Sequence, residues 1–282
     1  MCYRTVVTTP KRLGLWNFWL TRILVAVLGA VAIRLLVAML DGAGAPSIVS
    51  RAIGLVIGVL AILGLSRIDW IRADLNGLQP PKPARGTLIG MLAGALLYGA
   101  VVMVALIAGW YVVTSTAFNA GAFFSAFALL LVAAAFEEVL FRGVLFQTLE
   151  RASGTGWALF LSGLLFGASH LGNSNATALG AIAVGLAGIA LASVYAWTRD
   201  LWLVTGLHLM WNFMQGPVFG VAVSGNAFRS WLIPKIQGPE IFTGGIFGFE
   251  AGIITIALCL LGTLFALRHT RGLGRWRNAG RG

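Results

Sequence analysis

The sequence predicts an all-α, polytopic integral membrane protein of about eight transmembrane helices, forming a single membrane domain over residues 1–282. Three observations predict it. Residues of the AVILMFWYC set make up 59% of the chain and charged residues only 10%, with a mean hydropathy of +0.89, which leaves too little polar surface to cover a water-soluble globule. Apolar segments long enough to cross a hydrocarbon core of ~30 Å recur along the chain. The basic residues alternate between connections as membrane topology requires.

In chain order the spans read 18–40, 48–66, 87–113, 121–149, 156–172, 176–198, 201–224 and 250–267. Around the first, a basic start, the run Ile23 to Ile33 and Ala43-Gly44-Ala45 also fit a cleaved signal peptide, but Arg34 and the extension Leu35 to Leu40 fit a retained helix better. Pro80, Pro81 and Pro83 break any helix before the third span. Small residues crowd the sixth span at Gly180, Ala183, Gly185, Ala187 and Gly188, which predicts close helix packing there. Gly225 to Glu250 mixes Trp231, Pro234, Pro239 and glycines, the composition of an interfacial or re-entrant segment. Neither this stretch nor 67–86 is long enough for a domain with its own core, so any chemistry must sit among the helices.

Twenty Lys and Arg against nine Asp and Glu give a formal charge of +11, which in a soluble protein would suggest nucleic acid. In a membrane protein the same excess marks cytoplasmic loops, so no nucleic-acid partner is expected. With the N-terminus inside, fourteen basic residues fall in cytoplasmic segments and only Arg229 and Lys235 outside; the other four, Arg22, Arg34, Arg51 and Arg142, lie within spans. Both termini are therefore expected in the cytoplasm. Cys2 and Cys259 have neither disulfide nor metal-ligand spacing.

Ionisable groups inside spans are expensive, about 2.5–3.5 kcal/mol each on insertion scales, and normally face a bundle interior or a watery cavity. Here they cluster: Glu137-Glu138 with Arg142 in the fourth span, His170 in the fifth, His208 and Asn212 in the seventh. Glu138 and Arg142 are i, i+4 and share a face, so they can pair, while Glu137, rotated about 100° away, is left without that partner. His208 and Asn212 are again i, i+4. Counted from the cytoplasmic span ends, Glu137 lies roughly 18 Å up, His170 roughly 21 Å and Asn212 roughly 16 Å, which is one level. Such a set can hydrolyse a carbonyl compound: a buried carboxylate takes a proton from water, a histidine orients that water, and His plus Asn donate to the oxyanion. Ser169 precedes His170, but neighbouring residues on a helix point in different directions, so no Ser-His dyad is expected from them.

Glu137-Glu138-x-x-x-Arg142, Phe166-x-x-x-His170 and His208-x-x-x-Asn212, in that order on separate apolar segments, resemble the signature of the CPBP intramembrane protease family, which includes CAAX prenyl endopeptidases, bacteriocin-processing and immunity proteins, and abortive-infection proteins. The resemblance covers a core of about 121–220. It implies an eight-helix membrane endopeptidase in which Glu137 and His170 activate water and His208 and Asn212 form the oxyanion hole, with a membrane-associated peptide or protein, prenylated in the CAAX type, as substrate. Glu138 and Arg142 read from their spacing as the supporting pair. Glu137, His170 and His208 also permit an open zinc site. No cofactor is favoured, because His-x-x-x-Asn lacks the His-Glu-x-x-His pattern and asparagine serves better as an oxyanion donor than as a zinc ligand. A non-catalytic scaffold of the immunity type and a proton-coupled transporter are the alternative readings. The sequence is silent on oligomeric state.

Overall fold

The computed structural model describes residues 83–278 and the isolated positions 28, 29, 39, 53 and 57. Apart from those isolated positions, the first two expected spans, with Cys2, Pro80 and Pro81, lie outside the described residues.

The described chain is mostly helical. Helix α1 (Pro83–Ile107) leads to strand β1 (Tyr111–Thr116). Helix α2 (Ala120–Glu138) continues through a π-helical segment (Val139–Phe146) into α3 (Gln147–Ser169). Helices α4 (Ala178–Thr198) and α5 (Leu201–Phe213) follow, α5 being extended by a second π segment, Met214–Val218. Strand β2 (Leu232–Ile236), the single-turn α6 (Glu240–Thr243) and two 3-10 turns lead into α7 (Ile253–Gly272). Asn119, Thr177 and Asp200 start α2, α4 and α5 by accepting backbone N–H groups that the first helical turn leaves unpaired.

Four helical stretches among the described residues are long and apolar enough to cross a membrane: Pro83–Ile107, Ala120–Ser169, Ala178–Thr198 and Ile253–Gly272. A straight 50-residue helix would measure roughly 75 Å, more than twice the hydrocarbon thickness, and Ala120–Ser169 is broken at Gly154, where φ is 83° and ψ 168°. That backbone conformation is open almost only to glycine. The break separates the segments read from the sequence as 121–149 and 156–172.

Two span ends differ from the expectation. The segment read as 87–113 stops being helical at Ile107; Gly109 has a positive φ, and the β-branched Val112 and Val113 pair in β1 with Lys235 and Pro234 of β2. The segment read as 201–224 ends its helix at Val218, with Pro217 inside the last turn and Gly220 at φ 68°. The stretch 225–249 supplies β2 and short turns, so it closes over one end of the helices.

Glycines set the helix spacing. A Cβ on Gly90 of α1 would lie 2.0 Å from the Leu203 carbonyl oxygen of α5, and one on Gly206 of α5 would lie 2.3 Å from the Thr87 carbonyl oxygen. Helices α3 and α4 meet likewise: a Cβ on Gly167 would come within 2.4 Å of the Ala181 carbonyl oxygen. The close packing expected of the sixth span is therefore present. Outward faces are apolar and uncovered, with Leu88, Leu92 and Leu96 on α1 and Leu261, Leu264 and Phe265 on α7 all exposed, the surface a lipid environment covers.

Candidate active site

Each polar residue singled out in the sequence is carried by an element whose local structure aims it. Glu137 and Glu138 end α2, immediately before the π segment that carries Arg142. Arg142 Nη1 donates to Glu138 Oε1 at 2.7 Å, so the i, i+4 pairing read from the sequence is made across the helix–π junction. Both side chains are buried, which makes their mutual pairing essential. Arg142 Nη2 also donates to the Gly188 carbonyl of α4 at 2.9 Å, and the guanidinium lies 4.6 Å from the centroid of the Phe166 ring.

The histidines are fixed through Nδ1. His170 is the first residue beyond α3, and its Nδ1 lies 2.8 Å from the Phe166 carbonyl oxygen; a carbonyl only accepts, so Nδ1 carries the proton. His208 Nδ1 lies 2.8 Å from Glu138 Oε1 and donates to that carboxylate. Both rings then turn Nε2 towards Glu137: Oε2 of Glu137 stands 4.0 Å from His170 Nε2 and 3.9 Å from His208 Nε2. Glu137 keeps 22% of its side-chain exposure where Glu138 keeps none. The two adjacent carboxylates are thus sorted, Glu138 into a closed network and Glu137 towards the imidazoles.

Those two separations exceed a hydrogen bond and suit one bridging water, because two bonds of ~2.8 Å span about 4 Å at an angle near ~90°. Two ligands of a tetrahedral zinc ion, each at ~2.0–2.1 Å, would stand only about 3.4 Å apart. Among the described residues no three His, Cys, Asp or Glu side chains stand at ligand spacing, so the arrangement does not fit the zinc site that Glu137, His170 and His208 permit on paper.

Asn212 lies one turn beyond His208 on α5 and lines, with His170 and His208, a cavity of about 120 Å³. Phe166 lines the same cavity and packs on both imidazoles, with centroid distances of 4.8 Å to His170 and 6.0 Å to His208. The aromatic residue of Phe166-x-x-x-His170 therefore does three things: it covers Arg142, supports both rings and holds His170 through its carbonyl.

Ser169 Oγ does reach His170, at 3.1 Å from Nδ1, although the two are sequence neighbours, because His170 has already left the helix. The hydroxyl donates to the Phe166 carbonyl at 2.7 Å, and an Nδ1 that donates to the same oxygen cannot take its proton. No Ser-His dyad forms, for a different reason than helical direction. Sequence reading also missed three polar residues of the cavity wall, Ser224, Glu250 and Thr255. Glu250 sat at a span end with no i, i+4 partner to draw notice.

An acid–base cluster at the meeting of helices with apolar outer faces defines a class first: an integral membrane protein whose site is equipped for hydrolysis. Residues 119–214, about a third of the chain, match the family model described as Rce1-like, type II CAAX prenyl endopeptidase Rce1-like, so that segment is similar to the CPBP/CAAX membrane proteases. All six residues of the cluster, from Glu137 to Asn212, fall inside the match. No curated protein and no solved structure matches the chain.

Proposed function

We propose that this protein is an intramembrane endopeptidase of the glutamate type, cleaving a peptide bond of a membrane-associated, CAAX-type protein or peptide. The observation that carries the reading is the placement of Glu137 Oε2 at 4.0 and 3.9 Å from two Nε2 atoms beside a cavity that Asn212 also lines. Glu137 takes a proton from a water held between it and His170, and the water oxygen bonds to the scissile carbonyl carbon. The resulting oxyanion receives hydrogen bonds from Asn212 Nδ2 and from His208 Nε2 in its imidazolium form, whose charge faces Glu138 and Glu137. As the C–N bond breaks, Glu137 returns its proton to the leaving amine. Glu138 and Arg142 do not touch substrate in this scheme; they hold His208 in register.

The same reading takes 1–282 as one membrane domain of eight helices with the motif core at 121–220 and both termini cytoplasmic. Its support is the gathering of Arg199, Arg275 and Arg277 at the end of the bundle where α4 meets the C-terminal segment, while Lys235 lies on β2, beyond the other end of α1.

The test is cleavage of prenylated and unprenylated peptides by the detergent-purified protein, with and without a chelator. Glu137→Gln should lower kcat on the order of 10²–10⁴-fold and Asn212→Ala on the order of 10²–10³-fold, with chelator leaving the wild type unchanged. Normal turnover by Glu137→Gln would overturn the mechanism. Loss of activity with chelator, restored by zinc, would replace the glutamate type with a metalloprotease.

A further inference from the structure

The proposed reaction uses only part of the cavity. Ser224, Glu250 and Thr255 line it together with His170, His208 and Asn212, and most of the remaining wall is apolar, including Leu97, Val184 and Leu258. Glu250 sits in the 3-10 turn Phe249–Ala251 just before α7 and is only 7% exposed. The backbone N–H of Ser224 donates to its Oε1. Among the described residues no Lys or Arg forms an ion pair with it, in contrast to Glu138 and Glu150. Thr255 is 1% exposed, and its Oγ1 has no hydrogen-bond partner among the described residues.

The loop that holds Glu250 is built with care. Ser224 has φ 47°, a left-handed conformation that side-chain-bearing residues rarely adopt and that persists only where the surroundings enforce it. The enforcement is visible: Asn173 Nδ2 donates to the Ser224 carbonyl at 3.1 Å, Asn175 Nδ2 to the Gly225 carbonyl at 3.0 Å, and the Gly225 N–H to the Phe247 carbonyl at 2.9 Å. The loop following His170 is thereby tied to the loop that presents Glu250. A buried carboxylate that has no Lys or Arg partner and shares its charge only with His208, and a buried hydroxyl without a partner, are both unfavourable, and here both line the cavity of His170, His208 and Asn212.

We propose that Glu250 and Thr255 form a subsite for a cationic group of the substrate, a Lys or Arg side chain close to the cleaved bond. This rests on the endopeptidase reading. The carboxylate supplies the counter-charge and the Thr255 hydroxyl accepts a hydrogen bond from the ammonium or guanidinium, while the apolar wall packs on the methylene stem. A substrate's own C-terminal carboxylate is repelled from this subsite, so the cleaved chain must present a side chain there and not its end.

The experiment uses the full chain in detergent and peptides that differ only in one residue, Lys, norleucine or Glu, moved through the positions flanking the cleaved bond. At one position the wild type should cleave the Lys peptide roughly tenfold or more better than the norleucine peptide, through KM, and Glu250→Gln should abolish that preference. Thr255→Val should reduce it several-fold. Affinity is read separately, as binding of peptides N-methylated at the scissile bond to Glu137→Ala with and without Glu250→Gln. A Lys preference in binding that Glu250→Gln removes supports the subsite even if no peptide is cleaved, and in that case it is the endopeptidase reading that fails. A preference that survives Glu250→Gln, or no preference in the wild type at any position, overturns the subsite. If Glu250→Gln does not fold, Glu250→Asp and Thr255→Val carry the same comparison, and an unchanged Lys preference in both overturns it.

Discussion

Glu138 and Glu150 stand on one helical run, each a buried carboxylate that meets two basic side chains, yet the two networks differ in every other respect. Glu138 is fully buried, and so is its partner Arg142, while His208 retains only 9% side-chain exposure. Glu150 is as deeply buried, but Arg199 and Arg277 are 27% and 53% exposed. Arg199 embraces Glu150 with two bonds of 2.6 and 2.8 Å, and Thr155 Oγ1 adds a third at 2.9 Å, so both oxygens are satisfied. Glu138 concentrates its bonds on Oε1 and leaves Oε2 without a partner, and Arg142 Nε is also unpaired among the described residues.

The difference teaches what each network is for. A carboxylate whose cationic partners still touch solvent closes a fold end at little expense: it joins α3 near the Gly154 break, the end of α4, and the C-terminal segment through the Thr155 N–H to Arg277 carbonyl bond. A network buried throughout is no efficient source of stability, since desolvation offsets most of the attraction. Its persistence around Glu138 is explained by His208, whose ring it orients towards Glu137.

The strongest way to break the comparison is Glu138→Ala. It strands the Arg142 guanidinium and releases His208, and should lower stability by about 3–5 kcal/mol while abolishing turnover. Thermal unfolding in detergent and peptide cleavage, read on the same sample, check it; intact activity would show that His208 needs no orienting partner. Next comes Glu150→Ala, which leaves two partly solvated arginines and the Thr155 hydroxyl without their acceptor. A loss of about 1–3 kcal/mol is expected, with kcat of the folded fraction unchanged. A matching loss of kcat at full occupancy of the folded state would mean that the two networks are coupled. The smallest effect belongs to Arg277→Ala: its contact to Glu150 is 3.9 Å and more than half exposed, so about 0.2–1 kcal/mol is expected, decreasing further at high salt. An unfolding shift that salt does not reduce would contradict that assignment.

Much of the site was legible because its signals are local. Glu138 with Arg142 is a one-turn spacing on a helical run, and His208 with Asn212 is another on α5; charges in an apolar span are conspicuous at any position. The rise per residue put Glu137, His170 and Asn212 at one level, and the structure brings Glu137 to both imidazoles. Parts of the fold were illegible because their partners are distant in sequence. Tyr111 pairs with Ile236, and a strand next to an apolar helix reads as more helix until its partner is known. The π segments after Glu138 and Phe213 leave no sequence period of their own.

Composition and short-range spacing alone thus determined a membrane-embedded helical protein with one polar cluster, because burial of charge in lipid is costly wherever the chain goes. Tertiary structure decided what the unpaired Glu137 faces: His208 arrives from α5, joins Arg142 on Glu138 and turns its Nε2 towards Glu137. It also decided that Glu250, held by the left-handed Ser224, joins the cavity of His170 and His208. Those contacts close loops of tens of residues, and no local preference encodes them.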